Sequence, residues 1–444
     1  MLVHHEPSLD PRIHWVMRLC AEVGPTDVIG FVRLYGSPSP RPLRERDGNS
    51  TVERINIYEY ASAASRALSR IIDRLCIPGA IRRFTEREEQ GAGMGRSPRS
   101  LLARIDHQIG AVCRRASYWA VQRMIVSALY RRARSVSARP AMIVCHDLFA
   151  LAAAVKLKKL FGCPILYDTH EFWPEADLLA KKWEQRLIAR TERRLIQHAE
   201  EVVTVSPQLA RHLERCYGMR HVLCAPNAEP RVNGPLQASP RSSALPVRFL
   251  LQGHVNPHRG VEELLQGWQS LETDSAILYL RCPPNEYLAY LRVKFAELIR
   301  VRRVTILDPV SEEDLISAAS FADVGIIPYA GPNVNHLFCC PNKLSQYMQA
   351  GLAILSNRLE FVSEVIQRHG CGLVYDSTDP NSLILAVRSL VDQPVVLRAM
   401  KQKARAAAQS EFNWDVQAAG YRDAIRRLYQ AGCLAVYREG AASS

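Results

Sequence analysis

The sequence lacks any uncharged apolar run long enough to cross a membrane. A spanning helix needs about 18 or more such residues, and no apolar run in the 444-residue chain reaches that length. The first residues, MLVHHEPSLDPRI, also lack the basic and then apolar profile of an export signal. We therefore expect a cytoplasmic protein whose contact with a membrane, if it has one, is peripheral and on the inner face.

Spacings typical of metal-binding cysteines and histidines are also missing. No Cys-x-x-Cys or His-Glu-x-x-His pattern occurs, and Cys339 and Cys340, two of the twelve cysteines, are directly adjacent. Disulfides are rare in long chains that carry no export signal. We therefore expect reduced, mostly buried thiols, no metal site and no cofactor.

Residues 61–140 contain no lysine and only five acidic residues, but sixteen arginines. Apolar residues recur there at helical spacing, which predicts one or two amphipathic helices. The positive surplus favours a phosphate-bearing partner, although a solvated helical face explains the same charge without one. Because few aromatic residues are available to stack on bases, we expect an anionic membrane surface rather than nucleic acid.

The rest of the chain alternates short apolar runs with helical patterns, which is typical of parallel sheets covered by helices. A stretch rich in Pro, Ser and Gly, residues 229–246, separates two such series. We therefore predict an α/β protein with domains at 1–228 and 247–415, the first of which carries the arginine-rich segment.

Polar residues that follow the predicted strands are the candidates for a ligand site, because open α/β sheets bind ligands beyond the carboxyl ends of their strands. After one strand come Gly253, His254 and Arg259; Gly253 allows close backbone approach, and Arg259 can hold a phosphate with two hydrogen bonds. Further along, Lys343 and Gln346 lie three residues apart on a short helix, so both can face one ligand near its positive N-terminus. Together these groups predict a diphosphate site.

Seven sequence blocks occur in the order found in retaining GT-B glycosyltransferases of the family-four type, and the chain resembles that family. They include HEPSLDPRI, VCHDLFALAAA, ILYDTHEFWPE, QGHVNPHRGVEELLQGW and PNKLSQYMQAGLAILSN. The blocks cover residues 1–35 and 141–430 and leave the arginine-rich segment outside. The resemblance implies two Rossmann-like domains facing each other across a cleft, with the nucleotide-sugar donor held by the second. It also implies that the last helix, at 416–432, packs back on the first domain.

The resemblance also implies roles for individual residues. Arg259 is similar to the basic residue that neutralises the donor diphosphate, and Asn342 and Lys343 belong to a block that contacts the donor. His170 matches a histidine near the reacting sugar, with a hydrogen-bonded loop histidine as the structural alternative. The weaker candidates on the acceptor side are Asp10, Arg12, His146 and Glu171.

Three positions depart from the family pattern. Gln346 stands where a glutamate usually grips the donor's ribose hydroxyls, Phe338 replaces a second glutamate, and His254 replaces an arginine near the diphosphate loop. A hydrogen bond to a charged group contributes about 1.5–3 kcal/mol, against about 0.5–1.5 kcal/mol for a neutral one. The sequence therefore predicts weakened donor binding, and it predicts that Gln346→Glu tightens it.

The sequence thus predicts a glycosyltransferase of the hexosyltransferase type. It would move a sugar from a nucleotide-diphosphate sugar to a lipid-linked or saccharide acceptor, in cell-surface polysaccharide or glycolipid synthesis. The chain contains no Asp-x-Asp motif, which predicts a metal-independent transfer, and the resemblance implies a retained anomeric configuration. Two alternatives stay open: a nucleotide-sugar epimerase of the same fold, and a degenerate, non-catalytic protein that binds membranes or polyanions.

Overall fold

The computed structural model describes most of the chain outside the arginine-rich segment. The described residues are 1–7, 10–32, 42–60, 118–136, 139–176, 180–232, 246–271, 273–330 and 333–442. Most of the predicted amphipathic helical region, at 61–117, lies outside them. Within the described ranges the chain forms two sheets, each accompanied by helices.

The first sheet has eight strands. They are β1 (Leu2–Val3), β2 (Thr26–Phe31), β3 (Arg44–Asp47), β4 (Ser50–Ile55), β5 (Ile143–His146), β6 (Ile165–Thr169), β7 (Glu201–Thr204) and β8 (Leu223–Cys224). Their order is β3-β4-β2-β1-β5-β6-β7-β8, and β3 runs antiparallel to β4. β5 and β6 are buried at every position, which explains their continuous apolar runs, since strands in parallel sheets are covered on both faces.

Six helices in the described residues accompany this sheet, and three of them have clear sequence signals at an end. Their bounds are Pro11–Ala21, Ile57–Tyr60, 118–134, Asp147–Phe161, Lys182–Ile196 and Pro207–Tyr217. The fourth helix ends at Gly162, whose φ of 68° is left-handed. The last one begins at Ser206, whose hydroxyl accepts a hydrogen bond from the Leu209 N–H at 3.1 Å.

Helix 118–134 is the described part of the arginine-rich segment. Its buried residues recur at helical spacing and are Ala120, Met124, Ile125, Ala128 and Leu129. Three of its arginines are exposed, namely Arg123, Arg131 and Arg134. An amphipathic helix is therefore confirmed for this stretch. Among the described residues, no helix combines the length and apolar character needed to span a bilayer.

The second sheet has six strands. They are β9 (Val247–Gln252), β10 (Ala276–Arg281), β11 (Val304–Leu307), β12 (Val324–Ile327), β13 (Ala353–Asn357) and β14 (Gly372–Tyr375). The order is β11-β10-β9-β12-β13-β14, and neighbouring strands pair in parallel. This is the Rossmann order, in which the winding direction reverses between β9 and β12. Ligands bind beyond the strand ends at that reversal.

The helices around the second sheet match the predicted alternation of strands and helices. Their bounds are Val261–Gln269, Glu286–Lys294, Ala296–Arg300, Leu315–Ala319, Val334–Leu337, Asn342–Gln349, Glu360–His369, Pro380–Asp392, Pro394–Ser410, Trp414–Gln417 and Ala419–Ala442. Before the helix Leu315–Ala319, the Ser311 hydroxyl donates to the Asp314 carboxylate at 2.6 Å. A turn occupies those residues, and the helix begins at Leu315.

The chain divides into two compact units. One comprises residues 1–168, 194–201 and 425–444, and the other comprises 169–193 and 202–424. The end of the last helix therefore belongs with the N-terminal part of the chain. In that unit Gly432 lies so close to the Ala141 carbonyl that an added Cβ would stand 1.7 Å from its oxygen.

The cysteines in the described ranges are all free. Six of these ten are buried, three are partly buried, and Cys433 is exposed. Within the described residues, the expectation of mostly buried thiols is confirmed.

Candidate functional site

Arg259 and Lys343 converge on one aromatic ring beyond the ends of β9 and β12. The Arg259 Cζ and the Lys343 Nζ each lie 4.9 Å from the centroid of the Tyr329 ring, so the two cationic groups are within twice that distance of each other. Neither forms an ion pair with a carboxylate of the described residues. The site therefore concentrates positive charge that forms no salt bridge with the described acidic groups, as an anion-binding site requires.

Arg259 keeps its charge despite partial burial. Burial works against the charged form, but the electrostatic attraction of Tyr329 and a hydrogen bond with it outweigh burial and raise the Arg259 pKa. The charge of Glu171 acts in the same direction. The guanidinium is thus fixed as a permanent cation of the site.

Glycines allow the loop after β9 to reach this position. Gly260 has a φ of 73°, and an added Cβ would stand only 1.9 Å from the Pro328 carbonyl oxygen. The loop therefore packs directly against the segment that carries Tyr329. A residue larger than glycine at position 260 would prevent this contact. Gly253, with a φ of 98°, lies beside Lys343, whose Nζ would be 4.0 Å from an added Cβ.

The helix Asn342–Gln349 packs on the second sheet through Tyr347. Gly325 in β12 has no Cβ, and an added one would stand 2.2 Å from the Tyr347 ring. The Tyr347 hydroxyl accepts a hydrogen bond from the Gln252 N–H at 2.9 Å, at the end of β9. Leu344 and Met348 are fully buried, as their spacing predicts. The surroundings therefore fix the position of the helix.

Gln346 lies in a chain of hydrogen bonds. Its Oε1 accepts from Gln252 Nε2 at 3.1 Å, and its Nε2 donates to Glu229 Oε1 at 3.1 Å. The backbone N–H of Glu229 donates to the Ser345 hydroxyl at 2.6 Å. Sequence reasoning missed Glu229, because it placed that residue at the start of the interdomain linker. A contact across 117 residues leaves no local signal.

The Glu229 carboxyl has a strongly altered pKa. Burial raises it from 4.5 to about 7; the hydrogen bond from Gln346 opposes this, and the charge of Glu312 adds to it. Because the folded pKa is raised, the protonated carboxyl stabilises the fold below pH 4.5. That stabilisation is lost as the pH rises through about 7.

We expect Glu229→Gln to make the fold more stable at pH 8, since it removes a poorly solvated charge. The gain in free energy of unfolding should be about 1–3 kcal/mol at pH 8 and close to zero near pH 5. Urea unfolding of both proteins at the two pH values measures this. Equal differences at both values would contradict the raised pKa.

His170 and Glu171 follow the end of β6. The Thr169 hydroxyl donates to the Glu171 carbonyl oxygen at 2.8 Å, which turns the chain after the strand. The next N–H, of Phe172, donates to Asn335 Oδ1 at 2.6 Å. The segment that carries His170 is thus tied to the short helix Val334–Leu337, and the Glu171 charge acts on Arg259.

The predicted acceptor-side residues Asp10, Arg12 and His146 lie within the N-terminal unit. Asp10 caps the first helix, because its Oδ1 accepts from the Arg12 N–H at 3.0 Å. The Arg12 side chain is fully buried and forms two 2.9 Å hydrogen bonds with Asp168. His146 Nδ1 lies 3.3 Å from the same carboxylate. Arg12 and His146 therefore form a buried polar cluster around Asp168, in which Arg12 and Asp168 are an ion pair.

The positions that depart from the family pattern have distinct environments. His254 is exposed beside Gly253. Phe338 packs 5.8 Å from the ring of His212, which in turn contacts Phe172 at 4.5 Å. Aromatic contacts therefore occupy the place where the family resemblance implies a carboxylate.

A protein-family model described as a glycosyl transferase 4-like domain matches residues 32–228. The matched range runs through the arginine-rich residues 61–140, so the sequence interpretation that left them outside the resemblance is corrected. A search of curated proteins by sequence found no match.

Solved structures share the fold of the whole chain at low sequence identity. Sucrose-phosphate synthase from Thermosynechococcus elongatus is 15% identical, with a TM-score of 0.63 over 97% of this chain and 98% of that chain. The UDP-forming α,α-trehalose-phosphate synthase from Burkholderia xenovorans, in complex with glucose-6-phosphate, is 13% identical, with a TM-score of 0.61 over 97% and 99%. HepE from Anabaena, in complex with UDP and glucose, is 12% identical, with a TM-score of 0.55 over 68% and 81%.

The structural likeness establishes the fold, and the family match concerns the first half of the chain. Both agree with the ordered blocks found in the sequence. The chain is a glycosyltransferase with the GT-B fold, and its residues 32–228 match a glycosyl transferase 4-like domain.

Proposed function

We propose that the protein transfers a sugar from a nucleoside-diphosphate sugar to a hydroxyl group of an acceptor, without a metal ion and with retention. The observation that carries this proposal is the convergence of Arg259 and Lys343 on Tyr329, with no described carboxylate paired to either cation. A diphosphate supplies the missing negative charge. Uracil is the first base to test, because two structurally similar proteins are described as UDP-forming or as bound to UDP.

The arrangement suits the departure of a diphosphate. As the bond between sugar and phosphate breaks, negative charge builds up on the leaving group, and fixed cations stabilise that charge most in the transition state. Arg259 and Lys343 supply those cations, and partial burial strengthens their effect. His170, on the segment tied to the same loops, is the residue we assign to the reacting sugar.

We expect UDP to raise the melting temperature of the protein, and uridine, which lacks phosphates, to leave it unchanged. A ligand at 100 times its dissociation constant adds about 2.7 kcal/mol to the free energy of unfolding. Differential scanning fluorimetry with UDP, GDP, ADP and uridine measures this. If no nucleoside diphosphate stabilises the protein, the donor proposal fails. Incubation with donor alone then separates transfer from epimerisation, which needs no acceptor.

The acceptor proposed here is lipid-linked or a surface saccharide, with the enzyme held at an anionic membrane face by its arginine-rich segment. The exposed arginines of helix 118–134 support this, since they leave the buried face of that helix intact. We expect the full chain to float with anionic vesicles but not with neutral ones. Replacing Arg123, Arg131 and Arg134 together by glutamine should reduce recovery. Equal recovery of both proteins would argue against a role for this helix.

A further inference from the structure

The loop that carries Glu229 is fixed to the helix of the candidate site. Asn227 Nδ2 donates to the Cys340 carbonyl oxygen at 3.1 Å, and the Glu229 N–H donates to the Ser345 hydroxyl at 2.6 Å. The Glu229 side chain is partly exposed, and its Oε1 accepts from Gln346. Its second oxygen has no hydrogen bond to the described residues. One carboxylate oxygen is therefore held while the other stays available.

Above its raised pKa, the ionised Glu229 carboxylate sets the direction of the whole hydrogen-bond chain. An ionised carboxylate can only accept, so the Gln346 amide must turn its N–H toward it. The Gln346 oxygen then faces Gln252, which must present its own N–H. The Gln252 Oε1 is left buried without a partner among the described residues. A buried acceptor left without a donor costs free energy, so this site is incomplete without a ligand that donates hydrogen bonds.

These acceptors lie next to the cationic pair. Lys343 and Gln346 are three residues apart on one helix, and Gly253, beside Lys343, directly follows Gln252. The site thus places groups that bind an anion beside groups that bind hydroxyls. A nucleoside diphosphate combines these two features, because its ribose hydroxyls lie a few bonds from its phosphates.

We propose that Glu229 is a donor-binding residue whose carboxylate accepts hydrogen bonds from the donor's ribose hydroxyls. In this chain the carboxylate comes from the loop before the second domain rather than from position 346. The inference rests on the proposed function, since it assigns part of the donor to this side chain. It also changes the expectation for Gln346→Glu, which would place a second carboxylate within hydrogen-bond distance of Glu229 and should weaken binding.

The test compares UDP with 2′-deoxy-UDP and 3′-deoxy-UDP by isothermal titration calorimetry. The wild type should bind UDP at least about tenfold more tightly than one of the deoxy analogues, and Glu229→Gln should reduce this ratio to about threefold or less. Glu313→Gln removes an exposed carboxylate of the same unit that has no hydrogen bond with Gln346, and it should leave the ratio unchanged.

A double variant that exchanges the carboxylate and the amide distinguishes a loss of ribose binding from a loss of folding. Gln346→Glu alone should weaken UDP binding about tenfold, whereas Glu229→Gln with Gln346→Glu restores one carboxylate and one amide and should recover the ribose ratio. An unchanged ratio in folded Glu229→Gln, or no recovery in the double variant, would overturn the assignment of Glu229 alone. If the wild type binds no nucleoside diphosphate, the proposed function fails with it.

Discussion

Replacing Arg259 by alanine should weaken UDP binding by about 10- to 100-fold. A hydrogen bond to a charged group contributes about 1.5–3 kcal/mol, and each 1.4 kcal/mol is a factor of ten in affinity. Lys343→Met should have a similar effect, because methionine retains much of the packing against Tyr329 while removing the charge. The double variant should fall below the detection limit of calorimetry.

The matched control for these variants is Arg300→Ala. Arg300 is exposed in the same unit and pairs with Glu297 three residues earlier on its own helix. Loss of that surface pair should leave UDP binding unchanged and should change the stability of the fold very little. If Arg259→Ala binds UDP as tightly as Arg300→Ala does, the cationic groups beside Tyr329 do not bind the phosphates.

Among the substitutions proposed here, replacing Arg12 should cause the largest loss in the free energy of unfolding. Its guanidinium is fully buried and holds the buried Asp168 with two hydrogen bonds. Truncation of one partner leaves an uncompensated buried charge, so Arg12→Met should lower the free energy of unfolding by about 3–5 kcal/mol. Urea unfolding at pH 7 measures the difference.

A second variant separates the loss of the ion pair from the loss of packing. In Arg12→Met combined with Asp168→Asn no unpaired carboxylate remains, so much of the lost stability should return. If Arg12→Met costs less than about 1 kcal/mol, Asp168 does not depend on this guanidinium. A direct role at the acceptor side would then be the better explanation for Arg12.

Local patterns predicted the parts of the site that depend on strand ends and turns. Arg259 and Lys343 each follow a strand at the reversal of the second sheet, so their approach follows from strand order alone. A left-handed glycine likewise marks the end of the helix that stops at Gly162. These features need only neighbouring residues and the rules of parallel sheets.

The parts that could not be predicted depend on contacts between residues distant in the sequence. Arg12 looked available for a ligand until its partner Asp168, 156 residues later, was located. Glu229 lies in a stretch whose composition is typical of a linker, and its role depends on Gln346, 117 residues away. A single sequence contains no signal for such pairs, because neither member alters the local pattern around the other.

The contact between Gly325 and Tyr347 constrains any effort to redesign this enzyme for a different donor. Enlarging position 325 without shrinking position 347 forces the ring away from the strand, and the tyrosine hydroxyl then releases the backbone of Gln252. The two positions must therefore be varied jointly in a mutant library. A first substitution that blocks activity at one of them should be rescued by a compensating change at the other.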